Sequence, residues 1–372
     1  MSLSFKLAIP IAIAVLILVG FLGMGPRPLA AAQLATPINL THDAASETVP
    51  SVAVSKSGDV VVSWELNKNP NKKPQEIYAS VAPGGGSFGP AVNISNDAYP
   101  SRDAYLFPAD QSNVYMLYRD TLGRSGYSIL SSVWNGTNWS APTTLANSDY
   151  PDSVDPMGVQ ATDGSIWFVR QVFEGKTWTD ALAQKIGGAV YNLSNDGSAV
   201  IRPSITAADN GALYASWVDH ANERKHTTPG IHVMQWNGTT WTNLPPPNQE
   251  ADAQFPRLAY NNGQLYIVWR SVHPKWCIKE RVWNGSAWGP TLVVAQKSGI
   301  NYPRLAVSAD GNVFVAWEVG GAIYLQENSN TPILVSAGIP NSHQPALFVD
   351  SSDVAHVAFE NGDIWYTTIT FP

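Results

Sequence analysis

The chain has 372 residues, of which only 14% are charged and 10% aromatic, with 29 glycines, 27 prolines and 14 tryptophans. This balance is poor in the charge pairs of helix surfaces and rich in turn and strand formers, so it predicts an all-β protein. The formal net charge is −7, and the lysines and arginines are scattered along the chain. A nucleic-acid backbone requires a basic surface, so we expect no nucleic-acid partner.

The first element in chain order is an almost wholly apolar segment at residues 7–25, LAIPIAIAVLILVGFLGMG. Such a run is typical of a signal peptide or of a single membrane anchor. A cleaved signal is the favoured interpretation, because Ala30 and Ala32 suit cleavage before Gln33 and the run is near the minimum spanning length. In both interpretations residues 1–32 export the rest of the chain. We expect a secreted or cell-surface protein that contacts membrane only through this segment, if it remains uncleaved.

A phrase of about 15 residues then recurs, as PSVAVSKSGDVVVSW at 50–64, PSITAADNGALYASW at 203–217, PRLAYNNGQLYIVW at 256–269 and RLAVSADGNVFVAW at 304–317. Each copy reads as a strand, a turn, a second strand that ends on an aromatic residue, a loop and a third strand. Asn-Gly turns in WNGTNW, WNGTTW and WNGSAW predict hairpins into a fourth strand. Alignment on the prolines gives seven copies, at Pro50, Pro100, Pro151, Pro203, Pro256, Pro303 and Pro345.

Seven copies that start 42 to 53 residues apart are typical of a β-propeller, in which four-stranded sheets are arranged radially as blades. The last copy reaches residue 372 after its third strand, DIWYTTITF, and lacks a fourth. TPINLT at residues 36–41 matches TPILVS at 331–336, the predicted fourth strand of the sixth copy. We therefore predict a single domain over residues 33–372, a seven-bladed propeller closed by its N-terminal strand, which pairs into the last blade.

The repeated phrase, followed by a strand such as IYAS, resembles the sialidase-like propellers with BNR-type repeats. The resemblance covers residues 36–372 and implies the propeller fold, which hosts glycosidases, lectins and binding scaffolds alike. The chain departs from the family at several points. The Asp-box, Ser-x-Asp-x-Gly-x-x-Trp, is absent in strict form, and the Phe-Arg-Ile-Pro motif is matched only loosely, by Val200-Ile201-Arg202-Pro203. Seven blades also differ from the six that are usual in true sialidases.

Candidate site residues lie where the loops that enter each first strand and leave each second strand open on one face of the ring. The resemblance implies that an arginine cluster there would bind a substrate carboxylate in bidentate fashion. The candidate ligand-binding residues are Arg119, Arg202, Arg270, Glu65, Glu360 and Trp276.

The resemblance also implies a set of catalytic candidates on the same face. Tyr302 would be the nucleophile, assisted by Glu318, and Asp120 or Asp152 would be the acid/base. The same residue types also have a structural interpretation as salt bridges, because arginines and glutamates at matched blade positions can neutralise one another around a water-filled channel.

Binding of a glycan or a protein without catalysis is the function we expect, with exo-sialidase-type hydrolysis as the alternative. If the ligand is a glycan, aromatic faces such as Trp276 would pack on a sugar ring. If the protein is a scaffold, the loops at residues 67–75 and 219–230 would bind its protein partners. We expect no cofactor and no metal, because the histidines lack a ligand spacing such as His-Glu-x-x-His. Cys277, the single cysteine, excludes an internal disulfide, so stability must come from packing.

Overall fold

A computed structural model of the chain describes residues 31–42, 46–67, 74–110, 112–123, 126–146, 153–174, 177–194, 200–219, 230–248, 250 and 252–372. The apolar segment at 7–25, Asp152 and most of the two long loops lie outside these residues. Within the described ranges, no helix is long and apolar enough to cross a membrane.

The described residues form seven antiparallel sheets, numbered here as blades 1 to 7 in chain order from Ser46. The innermost strands are Ser46–Val54, Ser101–Pro108, Ser153–Gln160, Val200–Ala207, Gln254–Asn261, Asn301–Val307 and His343–Val349. The second strands are Val60–Asn67, Val114–Asp120, Ile166–Glu174, Leu213–Asp219, Gln264–Ser271, Val313–Glu318 and Val354–Glu360.

The third strands are Glu76–Ala82, Ser128–Trp134, Thr177–Lys185, Ile231–Trp236, Cys277–Trp283, Ile323–Glu327 and Ile364–Thr370. The outermost strands of blades 1 to 6 are Val92–Asn93, Thr143–Ala146, Val190–Asn192, Trp241–Asn243, Leu292–Gln296 and Ile333–Leu334. A 3₁₀ turn, Pro83–Gly85, follows the third strand of blade 1. The prediction of an all-β, seven-bladed propeller with four-stranded blades is confirmed.

Blade 7 receives its outer strands from the beginning of the described chain. Gln33–Leu34 and Ile38–Asn39 both pair antiparallel with Ile364–Thr370. The side-chain amide of Asn39 also donates a hydrogen bond to the Asp363 carboxylate at 2.6 Å, across 324 positions of sequence. The last sheet is therefore joined to the first residues of the described chain by both backbone and side-chain contacts.

The hydrophobic core of the described chain is divided into clusters that lie between neighbouring blades. Val60 and Val62 pack, together with Trp64 and Ala358, in the cluster between blades 7 and 1, so the last blade packs on the first. Val61, between the two valines in sequence, packs in the cluster between blades 1 and 2. Both faces of the second strand are thus covered, which explains why these strands are apolar at successive positions.

The tryptophans beside the Asn-Gly turns pack against one another and against neighbouring blades. Trp134 and Trp139 lie with ring centroids 6.0 Å apart, and Trp283 and Trp288 lie 5.4 Å apart. The Trp134 indole N–H donates to the Asp59 carboxylate of the neighbouring blade at 3.0 Å. These residues therefore stabilise hairpins and blade contacts at the outer part of the ring.

Each innermost strand bulges at the same place, where one non-glycine residue has positive φ. This conformation is uncommon, and a following proline normally favours an extended residue, so its recurrence in every blade marks an architectural element. These seven bulge residues, with φ in brackets, are Val49 (51°), Asp103 (55°), Asp155 (49°), Arg202 (57°), Phe255 (55°), Tyr302 (48°) and Gln344 (49°).

The bulges correct the register of two repeats. The equivalents of Pro50 in blades 2 and 3 are Ala104 and Pro156, so the alignment on Pro100 and Pro151 placed these repeats four and five residues too early. In blade 2 alanine takes the place of proline, which leaves a nearby loop proline as a false match, and in blade 3 a second proline, Pro151, precedes the true equivalent by five residues.

Candidate functional site at the mouth of the central channel

A channel runs along the axis of the ring and contains a cavity of about 310 Å³ lined by the innermost strands of all seven blades. The bulge residues line this cavity. Because the innermost strand begins where its antiparallel neighbour ends, the starts of the first strands and the ends of the second strands lie on one face, here termed the mouth.

The residues that follow the second-strand aromatic, or Arg170 in blade 3, form a ring at the mouth, because each pairs with the residue immediately before a bulge. This ring contains four of the predicted ligand-binding residues and one catalytic candidate. The pairs are Glu65 with Thr48, Arg119 with Arg102, Gln171 with Val154, Val218 with Ile201, Arg270 with Gln254, Glu318 with Asn301, and Glu360 with His343.

Side chains of this ring link neighbouring blades. A bulge takes a backbone N–H out of the strand ladder, and a buried N–H requires another acceptor. In four blades of the described chain, a glutamate or glutamine oxygen of the ring accepts from the bulge N–H of the next blade. The pairs are Glu65 with Asp103 at 2.6 Å, Gln171 with Arg202 at 3.2 Å, Glu318 with Gln344 at 3.1 Å, and Glu360 with Val49.

Burial changes the titration of several carboxyl groups around the channel. Burial, reinforced by the Asp103 charge, raises the pKa of Glu65 to about 7. Burial also raises the pKa of Glu360 to about 7. Asp155 has a pKa raised to about 6, mainly by burial and then by Asp103, although three arginines act in the opposite direction. Near neutral pH the mouth therefore carries less negative charge than its carboxyl groups suggest.

Two predicted arginines meet on an aromatic ring that the sequence reasoning did not single out. The Arg202 Cζ lies 3.9 Å from the centroid of the Phe255 ring, and the Arg270 Cζ lies 4.9 Å from the same centroid. Arg270 also lies 5.1 Å from the Trp276 ring, and Tyr302 packs edge-on to Phe255 at 5.2 Å. We term Arg202, Phe255, Arg270 and Trp276 the arginine–aromatic stack. Cation–π contacts of this kind hold guanidinium groups in fixed positions.

The third predicted arginine, Arg119, lies in a different environment. Its Nε forms an ion pair with the Asp103 carboxylate at 2.6 Å, and its guanidinium lies 4.3 Å from the Tyr127 ring. Arg119 and Arg202 both lower the pKa of Asp155, so they face a common carboxylate. The structure thus brings Arg202 and Arg270 together on Phe255 and pairs Arg119 with an aspartate of its own blade.

The catalytic candidates are not joined by contacts among the described residues. The two Glu318 oxygens contact His343 Nδ1 at 2.9 Å and the Gln344 backbone N–H at 3.1 Å. Asp120 is fully buried and accepts hydrogen bonds from Ser101 and from the backbone of Leu122, both at 2.5 Å. Asp152 lies outside the described residues, and Tyr302 packs on the arginine–aromatic stack.

Sequence reasoning missed several residues that line the channel. Phe255 and Asp155 occupy bulge positions, and Arg257 and Arg304 lie two residues further along their strands. The available signal is the bulge position, which precedes the repeat proline in six blades and Ala104 in blade 2 and carries six residue types over the seven blades. In the part of the chain that the structure describes, no group of three or more His, Cys, Asp or Glu side chains could hold a metal ion.

No protein-family model matches the chain, and no curated protein matches it. Solved structures match over most of its length. A protein of unknown function from Dyadobacter fermentans is 11% identical, with a TM-score of 0.55 over 92% of this chain and 99% of that one. Virginiamycin B lyase from Staphylococcus aureus is 14% identical, with a TM-score of 0.54 over 91% and 100%. An α-L-arabinofuranosidase from Fusarium graminearum is 10% identical, with a TM-score of 0.53 over 88% and 93%.

Sialidases are also matched, at TM-scores of 0.49 or lower. At these identities the matches show a shared fold alone, because one propeller architecture serves many chemistries. The chain is a seven-bladed β-propeller, consistent with the resemblance to sialidase-like propellers.

Proposed function

We propose that this protein is an exported propeller that binds a carboxylate-bearing carbohydrate at its mouth without hydrolysing it. The arginine–aromatic stack is the observation that carries the proposal. Guanidinium groups bind carboxylates through two parallel hydrogen bonds. Aromatic rings beside them offer the apolar surface on which a sugar ring can pack, and such mixed linings are typical of ligand sites.

The side chains of the stack are held in place before a ligand binds. Arg270 Nη1 donates to Asn301 Oδ1 at 2.5 Å, so its guanidinium is held by a neighbouring blade as well as by the two aromatic rings. Arg202 sits at a bulge, and its backbone N–H is held by Gln171. Side chains fixed before binding lose little conformational entropy when the ligand arrives.

Several contacts favour binding over hydrolysis. A tyrosine nucleophile needs a carboxylate that can take its proton, but both Glu318 oxygens already contact the next blade. An acid/base must reach the glycosidic oxygen, but Asp120 is fully buried. Export rests on the apolar segment at 7–25, which lies outside the described residues.

A glycan array probed with the purified protein tests the proposal. We expect signal on glycans with sialic or uronic acid, reduced at least about tenfold by Arg270→Gln and by Phe255→Leu. Arg281→Gln is the matched control, because Arg281 belongs to the same blade and its guanidinium donates to the Gly289 and Pro247 carbonyls.

Absence of any carboxylate-dependent signal would contradict the carbohydrate proposal and favour a protein partner. Release of a fluorescent group from an aryl sialoside by the purified protein would restore the hydrolase interpretation. We expect no turnover.

A further inference from the structure

Below the mouth, the channel holds two arginines at equivalent positions of adjacent blades. Arg257 and Arg304 each lie two residues beyond a bulge and line the cavity of about 310 Å³. Two residues of strand correspond to about 7 Å, so this pair lies one layer deeper than the arginine–aromatic stack. Tyr105, at the equivalent position of blade 2, lines the same cavity.

The guanidinium groups of this pair have few partners among the described residues. Arg257 Nη1 donates to the Pro256 carbonyl at 2.9 Å, and Arg304 Nη1 donates to the Pro303 carbonyl at 3.2 Å. No carboxylate oxygen of the described residues lies within 4.0 Å of either guanidinium. Each guanidinium has five N–H donors, so most of them have no hydrogen-bond partner among the described residues.

The charge of this arginine pair is only partly compensated. Burial and the neighbouring Arg257 charge lower the pKa of Arg304, and none of the causes acting on it is a carboxylate. Asp155 is the one carboxylate that acts on Arg257, and Arg119 and Arg202 act on the same carboxylate. A desolvated charge is stable only when it is paired, so the pair favours an anion beside it.

The propeller does not need arginine at these positions. In blades 1 and 4 the equivalent residues are Ser51 and Ser204, whose hydroxyls accept from the backbone N–H of Leu106 at 3.0 Å and Leu258 at 3.2 Å. A small residue thus satisfies the blade contact at this level. An arginine cannot accept such a hydrogen bond, so Arg257 and Arg304 do not make this blade contact.

We propose that Arg257, Arg304 and Tyr105 form a second binding site inside the channel, which takes a small oxyanion such as phosphate or sulfate. Two guanidinium forks match the oxygens of a tetrahedral anion, and the phenol hydroxyl adds a third donor. The cavity has room for the anion and several waters, since a water molecule takes about 30 Å³. This site lies one strand layer below the proposed carbohydrate site in the same cavity, and it can be tested with inorganic anions in the absence of any sugar.

Two experiments with the full protein test this proposal: calorimetric titration with sodium phosphate, and thermal unfolding at increasing phosphate concentration. Both are done at pH 7.5, with sodium chloride added to keep the ionic strength constant. The wild type should bind one phosphate with a saturable isotherm, and above the dissociation constant its melting temperature should keep rising with the logarithm of the phosphate concentration. Arg257→Gln and Arg304→Gln should each weaken binding at least about tenfold, and Tyr105→Phe should weaken it several-fold. Arg281→Gln should bind as the wild type does.

A second readout separates a binding role from a structural one. Without phosphate or sulfate, Arg304→Gln should melt at the wild-type temperature or above, because it removes one of two adjacent, partly desolvated cations. A melting temperature well below wild type in chloride alone, or phosphate binding unchanged in both glutamine variants, would overturn the proposal. The titration contains no sugar, so its failure leaves the carbohydrate proposal untouched. Competition between phosphate and a bound acidic sugar would show that the two sites are one.

Discussion

Replacement of Glu65 by glutamine should stabilise the protein above neutral pH. Glu65 is 3% exposed, and one of its oxygens accepts the bulge N–H of Asp103 at 2.6 Å. Glutamine keeps such an acceptor without the charge. Blade 3 already has this arrangement, with Gln171 bound to the bulge N–H of Arg202. The substitution therefore reproduces in blade 1 a contact that the fold uses elsewhere.

The magnitude follows from the titration of this carboxyl group. The pKa of Glu65 is raised from 4.5 to about 7, so between these values the folded state binds more protons than the unfolded state. The free energy of unfolding therefore falls as pH rises through this window. At about 1.4 kcal/mol per pKa unit, the ionised carboxylate destabilises the folded state by up to about 3 kcal/mol at pH 8.

Urea unfolding followed by tryptophan fluorescence at pH 4.5, 6 and 8 measures this effect. We expect Glu65→Gln to match the wild type at pH 4.5 and to exceed it by up to about 3 kcal/mol at pH 8. Glu318→Gln is the matched control, because Glu318 occupies the same ring position but contacts His343 at 2.9 Å, so no gain is expected. A Glu65→Gln variant less stable than wild type at pH 8, or a difference independent of pH, would refute this reasoning.

Three further predictions concern core packing, closure of the ring and the titration of Glu360. Gly158→Ala should lower the free energy of unfolding, measured by urea titration, by about 1–3 kcal/mol, because the new Cβ would lie 2.4 Å from Phe107 Cε1. Adding Phe107→Leu to this variant should recover part of the loss. Asn39→Ala should lower it by about 1–3 kcal/mol through loss of the bond to Asp363, and an unchanged unfolding midpoint would contradict this role. Glu360→Gln should flatten the decline of stability between pH 4.5 and 7, whereas an unchanged slope would show that its carboxyl is ionised throughout.

The repeated phrase was sufficient to predict the blades, because strand periodicity and turn residues are local properties. It also placed Arg119, Arg270 and Glu360 at one level, since residues after the second-strand aromatic share a register. The bulges could not be predicted from residue type. Val49 and Phe255 are not residues that favour positive φ, and the neighbouring blade stabilises them there.

The partners of the site residues depend on three-dimensional contacts that no local pattern encodes. Arg119 and Arg270 occupy equivalent positions, yet one pairs with Asp103 and the other packs on Phe255. The alignment on prolines failed where Ala104 replaces proline. Because the second repeat was placed four residues too early, Asp103 was not recognised as a residue of the innermost strand. Matched position in the repeat therefore predicts where a side chain lies, whereas its contacts depend on the adjacent blade.

The most direct test of the proposed function is calorimetric titration of the protein with an acidic monosaccharide and with its methyl ester. The ester keeps the ring and hydroxyl groups but removes the charge that Arg202 and Arg270 would bind. We expect the acid to bind at least about tenfold more tightly than the ester, because a charged bidentate contact contributes about 1.5–3 kcal/mol. Equal affinity for acid and ester, or binding of neither by the wild type across sialic and uronic acids, would contradict the account.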